Sequence, residues 1–522
     1  VEKSNFKGDI TVIKHITVSF LAVSIGCTLA YAKDVTPGFN NLIPESILTP
    51  DSVETSIGKL SFFDGMPDAE TVTKVYDNLD TIRATEVFLD MVPAASMEGM
   101  RLGLASLGAS ASNQVMMFDQ LLDSNPLFLT GNTDTVYSAV MFDLERDGPT
   151  VVEIPAGSGP STVNDAYFRF VTDMGAPGPD RGKGGKYLIV PEAYEGEVPE
   201  GYFEARSPSN INLMVLRGFL VDGKTDAAVR SVKEGLKVYP LNQKDNPPTM
   251  EFISGSTVPF NTVHSNDFSF FEEINDVIQR EPVDFLDPEL RGQLSSIGIQ
   301  KGQTFDPDER MTKILTDGVA IGNATARALL LRPRDESAYY YEGSQWFTAF
   351  LGGDYQWLID NGDGGRNLDA RTAFFYGYTL NTPAMVLKMV GAGSQYAVAA
   401  TDEKGEYLDG SKTYRLNIPG NVPAKDFWSV VLYDPQTRSE LQTEQPFPSK
   451  NNKRDQLEVS SDGSVDLYFG PTAPEGKEAN WVQTVPGKGW WGIFRLYGPL
   501  EPWFDKTWRP GNFELLDGDD NL

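Results

Sequence analysis

Apolar positions recur at helical spacing from residue 68 to about 122, in "DAETVTKVYDNLDTIRATEVFLDMV" and "MEGMRLGLASLG". Asp68 is placed to cap, and acidic residues occupy the first turn, so a helical entry segment is predicted over 33–126. From about residue 127 the period changes to two. "TVYSAVMFDL", "TVVEIP", "AYFRFVTD", "KYLIVP" and "NLMVLRGFLV" are short β-branched and aromatic runs broken by Gly, Pro and Asp, which predicts a sandwich over 127–241. "KTDAAVRSVKEGLKVYPL" reads as one amphipathic helix. "DFSFFEEINDVIQR", "DPELRGQLSSIG" and "DPDERMTKILTDGVAIGNATARALLL" each open on Asp, a good N-cap, and predict a helical domain over 242–368. Alternation returns over 369–522 in "KTYRLNIP", "DFWSVVLYD", "SVDLYFGP" and "WWGIFRLYGP". The expected fold is mainly β with helical segments, an α+β multidomain chain with two sandwiches around a helical block.

The apolar run "ITVSFLAVSIGCTLAYA" at 16–32 follows Lys3, Lys7 and Lys14 and closes on Ala30 and Ala32, the pattern of a secretory signal peptide over 1–32. No basic stop-transfer cluster follows, so the expectation is export to the periplasm or medium, with no integral span after cleavage. Cys27, after "SIG", also reads as a lipid acceptor, although Ser24 stands where Leu is expected. A net charge of −29 makes nucleic acid and anionic membrane surfaces poor partners. Removing the leader would remove the only Cys and leave one imidazole, His264. Disulfides, thiol nucleophiles and zinc sites built on Cys or several His are then excluded. His264 reads as a loop or capping residue before it reads as a base. No motif identifies a cofactor.

Five segments carry a resemblance. "LTGNTDTVYSAVMFDLERDGPTVVEIP" with "VNDAYFRFVTDMGAPGPDRGKGGKYLIVP" resembles the domain-of-unknown-function family 1254. "YLDGSKTYRLNIPGNVPAKDFWSVVLYD" with "DGSVDLYFGPTAPEGKEANWVQT" and "FRLYGPLEPWFDKTWRP" resembles family 1214. The resemblance implies an immunoglobulin-like sandwich, a small helical domain and a jelly-roll C-terminal domain in exported bacterial proteins; it implies no activity.

In "LTGNTDTVYSAVMFDL", Asn132 and Asp134 can bond their own backbone in an Asx turn, a sufficient structural role. The functional alternative is a cleft to which Asp134, Tyr137 and Asn132 supply a carboxylate, a phenol and an amide. Asp134 and Tyr137 fall on opposite faces of an extended strand, so they converge only if the turn persists to Thr135. The loop "GAPGPDRGKGGKYL" at 175–188 lacks the G-K-[ST] ending of a phosphate loop and reads first as a cover over the cleft mouth. In "YFRF", Arg169 lies opposite Phe168 and Phe170 and shares its face with Asp173, giving an ion pair or, alternatively, a fork for a substrate carboxylate or sugar hydroxyl.

The aromatic segment at 339–357, with Trp346 and Tyr355, suits either a domain interface or the wall of a ligand site. In "FWSVVLYD", Phe427, Ser429, Val431 and Tyr433 share one face, and Arg495 and Tyr497 point the same way on their own strand. Asp462 and Asp466 read as a hairpin turn before a calcium loop, and no metal ligands are assigned. The first functional reading is an enzyme acting on a small polar or carbohydrate-like molecule. Asp134, Tyr137 and Arg169 would be its catalytic groups and Asn132, Asp173, Trp346, Tyr355, Arg495 and Tyr497 its ligand contacts. The alternatives are a non-catalytic small-molecule binder and an envelope assembly protein with homo-oligomeric contacts. Catalysis requires a second titratable group within reach of the ligand.

Overall fold

The computed structural model describes residues 43–516, so the run at 16–32, Cys27 included, lies outside the described residues. The chain divides into two compact units, Val1–Asn78 and Leu79–Leu522. In the first, Ser52–Thr55, Gly58–Phe63 and Met66–Pro67 form an antiparallel meander where the sequence led us to expect only helix. Short turns made this possible: Gly58 and Gly65 take the positive φ (97° and 82°) that side-chain-bearing residues avoid. Asp68 then accepts the Thr71 N–H at 2.7 Å and caps the helix Ala69–Ser106.

Within the second unit that helix runs through Pro93. Proline has no N–H for the Leu89 carbonyl. The Thr372 hydroxyl bonds that carbonyl instead, at 3.0 Å, and the Tyr167 hydroxyl bonds the carbonyl of Asp90. Residues 91–100 are buried on every side, so this stretch is the rod of a helical layer, with Glu309–Leu331 and Leu368–Gly377 beside it. Close approach explains two glycines: a Cβ on Gly318 would stand 2.5 Å from Ala84 Cβ, and one on Gly322 2.6 Å from the Phe88 ring. Glu309–Leu331 is the one helix among the described residues long and apolar enough to cross a membrane. Its Leu315, Val319, Ala326 and Leu330 are core residues of this layer.

Two sandwich-like pairs of sheets flank the layer. The first pairs a six-stranded sheet, in the order Glu251–Ser254, Gln114–Met117, Val136–Asp143, Ile211–Gly218, Ser161–Asp165, Phe170–Met174, with a four-stranded one. The run read as a single helix over 224–241 is instead the helix Asp226–Gly235 followed by the strand Lys237–Pro240, which pairs with Thr150–Ile154. Likewise "AYFRFVTD" is a hairpin and not one strand. Asp165 accepts the N–H groups of Tyr167 and Arg169, both at 2.8 Å, and Phe168 takes φ +53°, which turns the chain between Ser161–Asp165 and Phe170–Met174. The second sandwich packs Ser394–Ala399, Trp491–Pro499, Ala424–Tyr433 and Ser449–Asn451 on a sheet of Trp481–Gln483, Val465–Gly470, Tyr414–Ile418 and Glu514–Leu515.

Period-two alternation is the pattern of a half-buried strand, but the strand after the NTDT turn is buried on both faces. Val136, Val140 and Phe142 fill the first sandwich, while Tyr137, Ala139 and Met141 join the core of the helical layer. The same division holds across the chain, with Val430 and Leu432 inside the second sandwich and Val431 and Tyr433 on the helical side. One layer of helices thus covers a face of each large sheet.

Candidate functional site

The turn at 130–135 joins the two sandwiches. Gly131 has no room for a side chain, since a Cβ would lie 1.9 Å from Leu122 Cδ2. Thr130 takes φ +41°, a strained value for a β-branched residue, and its carbonyl is held by Arg495 Nη2 at 2.8 Å. Asn132 makes the Asx turn: its Oδ1 accepts the N–H groups of Asp134 (2.9 Å) and Thr135 (3.1 Å), and its amide donates to the Tyr137 hydroxyl. The turn therefore persists to Thr135, as convergence required.

Locally, the Asp134 carboxylate accepts only a long bond from the Thr133 hydroxyl, at 3.4 Å, among the described residues. Its carboxylate crosses to the second sandwich, where Oδ1 accepts from Asn451 Nδ2 at 2.7 Å and Oδ2 from Ser429 Oγ at 2.8 Å and Tyr497 Oη at 3.2 Å. The alternation of "FWSVVLYD" places these donors: Phe427, Ser429 and Tyr433 all face the turn, with Phe427 stacked on Tyr497 and the Tyr433 hydroxyl on the Gly131 carbonyl. Arg495 and Tyr497 face it together. Burial, then the Asp134 carboxylate, pushes the Tyr497 phenol well above its ordinary range.

Beside this contact opens a cleft of about 290 Å³, bordered by Asp134, Arg217, Phe427, Asn451, Lys453 and Tyr497. Arg217 ends the strand Ile211–Gly218 directly across from Tyr137, its guanidinium 5.3 Å from that ring centre. Its electrostatic neighbours are the phenols of Tyr137, Tyr396 and Tyr497. Tyr137 lies on the other side of Arg217, bordering a second, narrow cavity with Arg495. Behind the turn, Glu440 is 2% exposed, and neither of its carboxyl oxygens has a hydrogen-bond partner. Burial drives its pKa well above the usual carboxylate value.

Five sequence-predicted residues therefore meet at one seam: Asn132, Asp134, Tyr137, Arg495 and Tyr497. Arg169 and Tyr355 meet elsewhere, in a cavity of about 330 Å³. The expected Arg169–Asp173 pair is not formed. The hairpin turn swings Arg169 onto Asp165 at 2.5 Å, and Asp173 accepts from the Thr382 hydroxyl at 2.6 Å, with burial lifting its pKa to about 6. Trp346 is fully buried in the second sandwich, its Nε1 on the Gly511 carbonyl. The glycine-rich loop folds around its own anion: Asp180 accepts from the N–H groups of Gly175 and Gly184 and from the Tyr187 hydroxyl. Asp462 closes a hairpin turn on Ser464, and among the described residues buried His264 donates or accepts at Ser265 and Arg438.

Arg217, Ser429 and Asn451 were missed. Arg217 had a signal, a lone cation in the apolar run "NLMVLRGFLV", and so did Ser429, a hydroxyl on the same face as Phe427 and Tyr433 in "FWSVVLYD"; Asn451 had none.

The two sides of this seam coincide with two family matches. Residues 112–240 match the family described as protein of unknown function DUF1254, and residues 393–501 match DUF1214. The chain carries both, in that order. The DUF1254 segment supplies Asp134 and Arg217, and the DUF1214 segment supplies Ser429, Asn451 and Tyr497. No curated protein matches the chain. Its fold is similar to that of the VPA0106 protein of Vibrio parahaemolyticus, with a TM-score of 0.51 at 17% identity over 84% of this chain and 100% of that one. A putative uncharacterized protein from Burkholderia cenocepacia gives a TM-score of 0.38 at 13% identity over 86% of this chain and 97% of that one.

Proposed function

We propose that the chain retains a small polar molecule bearing an anionic group in the cleft between its DUF1254 and DUF1214 segments, anchored on Arg217, and does not turn it over. The observation that carries this reading is the Arg217 guanidinium. It borders the cleft, phenols surround it, and among the described residues no carboxylate forms an ion pair with it. A guanidinium is always charged and its fork matches carboxylate or phosphate oxygens. Exposed Lys453 adds a second cation at the same cleft, while Arg454 is paired with Asp455 and Asp134 is bonded by the other segment. The Phe427–Tyr497 stack offers an apolar surface of the kind a sugar acid uses.

Acid–base catalysis needs a lone pair or proton aimed at the ligand. Asp134 already accepts from three donors of the other segment, and the Tyr497 proton is directed at Asp134. This favours the binding reading over the enzymatic one. Export to the periplasm or medium belongs to the same proposal and rests on the run at 16–32.

The test is mass spectrometry of a bacterial metabolite extract incubated with the protein, before and after ultrafiltration, repeated with Arg217→Gln. An acid retained unchanged by the wild type and released by the variant supports binding. An acid converted to a product restores the enzymatic reading. Retention equal in both proteins removes Arg217 from the site.

A further inference from the structure

The cavity that holds Arg169 is a second site, built from different residues. It lies where the hairpin turn at 165–170 meets the segment 355–381, on which Arg366 and Arg371 sit. Three guanidiniums converge here. Arg169 uses Nε on Asp165 and Nη1 on the Phe285 carbonyl, at 3.0 Å. Arg371 uses Nη2 on Asp90 at 2.5 Å, and Arg366 uses Nη1 on the Gln356 carbonyl. Desolvation, then repulsion from Arg371, draws the Arg366 guanidinium below its ordinary range.

The nearby acids are engaged, two by arginines and two by backbone N–H groups, and Asp354 also acts electrostatically on Arg366. Asp165 and Asp90 each pair with one arginine, Asp287 accepts the Leu290 N–H at the start of Pro288–Ser296, and Asp354 accepts from Gln356 and Leu358. Among the described residues no carboxylate forms an ion pair with Arg366.

Among the described residues, two buried donors on residues that line this cavity have no acceptor: Arg371 Nε and the Nε1 of Trp357, whose side chain is 2% exposed. Buried donors without acceptors are rare because each forfeits the hydrogen bond it had to water. Aromatic faces complete the walls. Tyr355 stands edge-on to Phe170 at 5.6 Å, and Tyr167 lies under the guanidiniums of Arg169 and Arg371. Excess donors call for an acceptor-rich group, and the rings call for a flat or apolar body. An inorganic anion would use only the first of these features.

We propose that the cavity bounded by Arg169, Arg366 and Arg371 and walled by Tyr167, Tyr355 and Trp357 binds an organic acid, its carboxylate on the guanidiniums and its ring against the aromatic walls. It is independent of the Arg217 cleft.

The test is calorimetric titration of the full chain with benzoate and phenylacetate, with benzamide as the uncharged counterpart and inorganic phosphate as the ringless anion. Arg366→Gln is the first variant, because Arg366 is exposed and its one hydrogen bond to the protein is to a backbone carbonyl. Tyr355→Ala tests the wall. At least one acid should bind, benzamide should bind tenfold or more weakly, and both variants should weaken the acid about tenfold or more, or 1.4 kcal/mol. Four results would overturn the proposal: neither acid bound at about 10 mM, a 3 kcal/mol interaction or less; amide and acid bound alike; affinity unchanged in Arg366→Gln; or phosphate bound in place of both acids.

Discussion

Replacing Asp134 tests whether the seam between the two sandwiches is held by one carboxylate. Asp134→Ala removes an acceptor from Asn451, Ser429 and Tyr497, which reach it across sequence separations of 295–363 residues. A hydrogen bond to a charged group contributes about 1.5–3 kcal/mol, and the three are not additive. Removing the charge also relieves its own desolvation. A net loss of about 3–5 kcal/mol is expected, because three buried neutral donors are left unsatisfied at about 1–3 kcal/mol each and the relieved desolvation offsets part of that. Asp134→Asn keeps one oxygen for the two hydroxyls and turns an amide N–H₂ toward that of Asn451, so its loss should be smaller, about 1–2 kcal/mol. Urea unfolding followed by tryptophan fluorescence gives the global loss, and hydrogen exchange over 136–143 and 424–433 locates it. In a double-mutant cycle with Asn451→Ala, the coupling should be about 1–2 kcal/mol. A loss below about 0.5 kcal/mol in Asp134→Ala, the level of a neutral surface change, together with no coupling, would refute the reasoning.

Three further outcomes are expected. Because the folded pKa of Glu440 is raised above the unfolded value near 4.5, the folded state holds the proton more tightly, and stability falls as pH rises above that value. Glu440→Gln should therefore gain on the wild type by up to about 1.4 kcal/mol per pH unit, read from urea midpoints between pH 5 and 8; parallel curves would rule this out. His264 is the opposite case: burial, then Arg438, lowers its pKa to about 3, so stability is lost as pH falls below the unfolded value of 6.5. Its NMR ring signals should show no titration near pH 6.5. Gly322→Ala should destabilise by about 1–3 kcal/mol through its contact with Phe88, whereas Gly292→Ala, with open space around it, should stabilise by about 0.5–1 kcal/mol; thermal unfolding compares them.

Period-two alternation located the long strands of both sandwiches, because a strand alternates whichever neighbours it meets. It could not reveal that a helical layer covers the second face and buries every residue from Val136 to Phe142. Elements shorter than about one helical turn were misread: the hairpin at 165–170 depends on one side chain, Asp165, bonding two N–H groups. In the site, Asn132 was legible because its partners lie two and three residues away. The partners of Asp134 were not, because local spacing carries no information about a residue 300 positions along. Trp346 was misjudged for a general reason: an aromatic cluster looks the same in sequence whether it lines a cavity or fills a core.

The seam also gives a physical reason for two segments of unassigned function to occur in one chain. Separated, the first segment would expose the Asp134 carboxylate and a turn whose Thr130 φ is held by Arg495 of the second. The second would expose the inward face of Ala424–Tyr433 and Trp491–Pro499, with Ser429, Tyr433, Arg495 and Tyr497 deprived of the acceptors they reach in the first. Neither face is a self-sufficient surface, because burying either against a different partner would leave polar groups unpaired. The Arg217 cleft opens along that same seam, so any ligand it holds contacts both segments and stabilises their union by mass action. On the proposed reading, ligand binding and the union of the two segments are then coupled properties of a single interface.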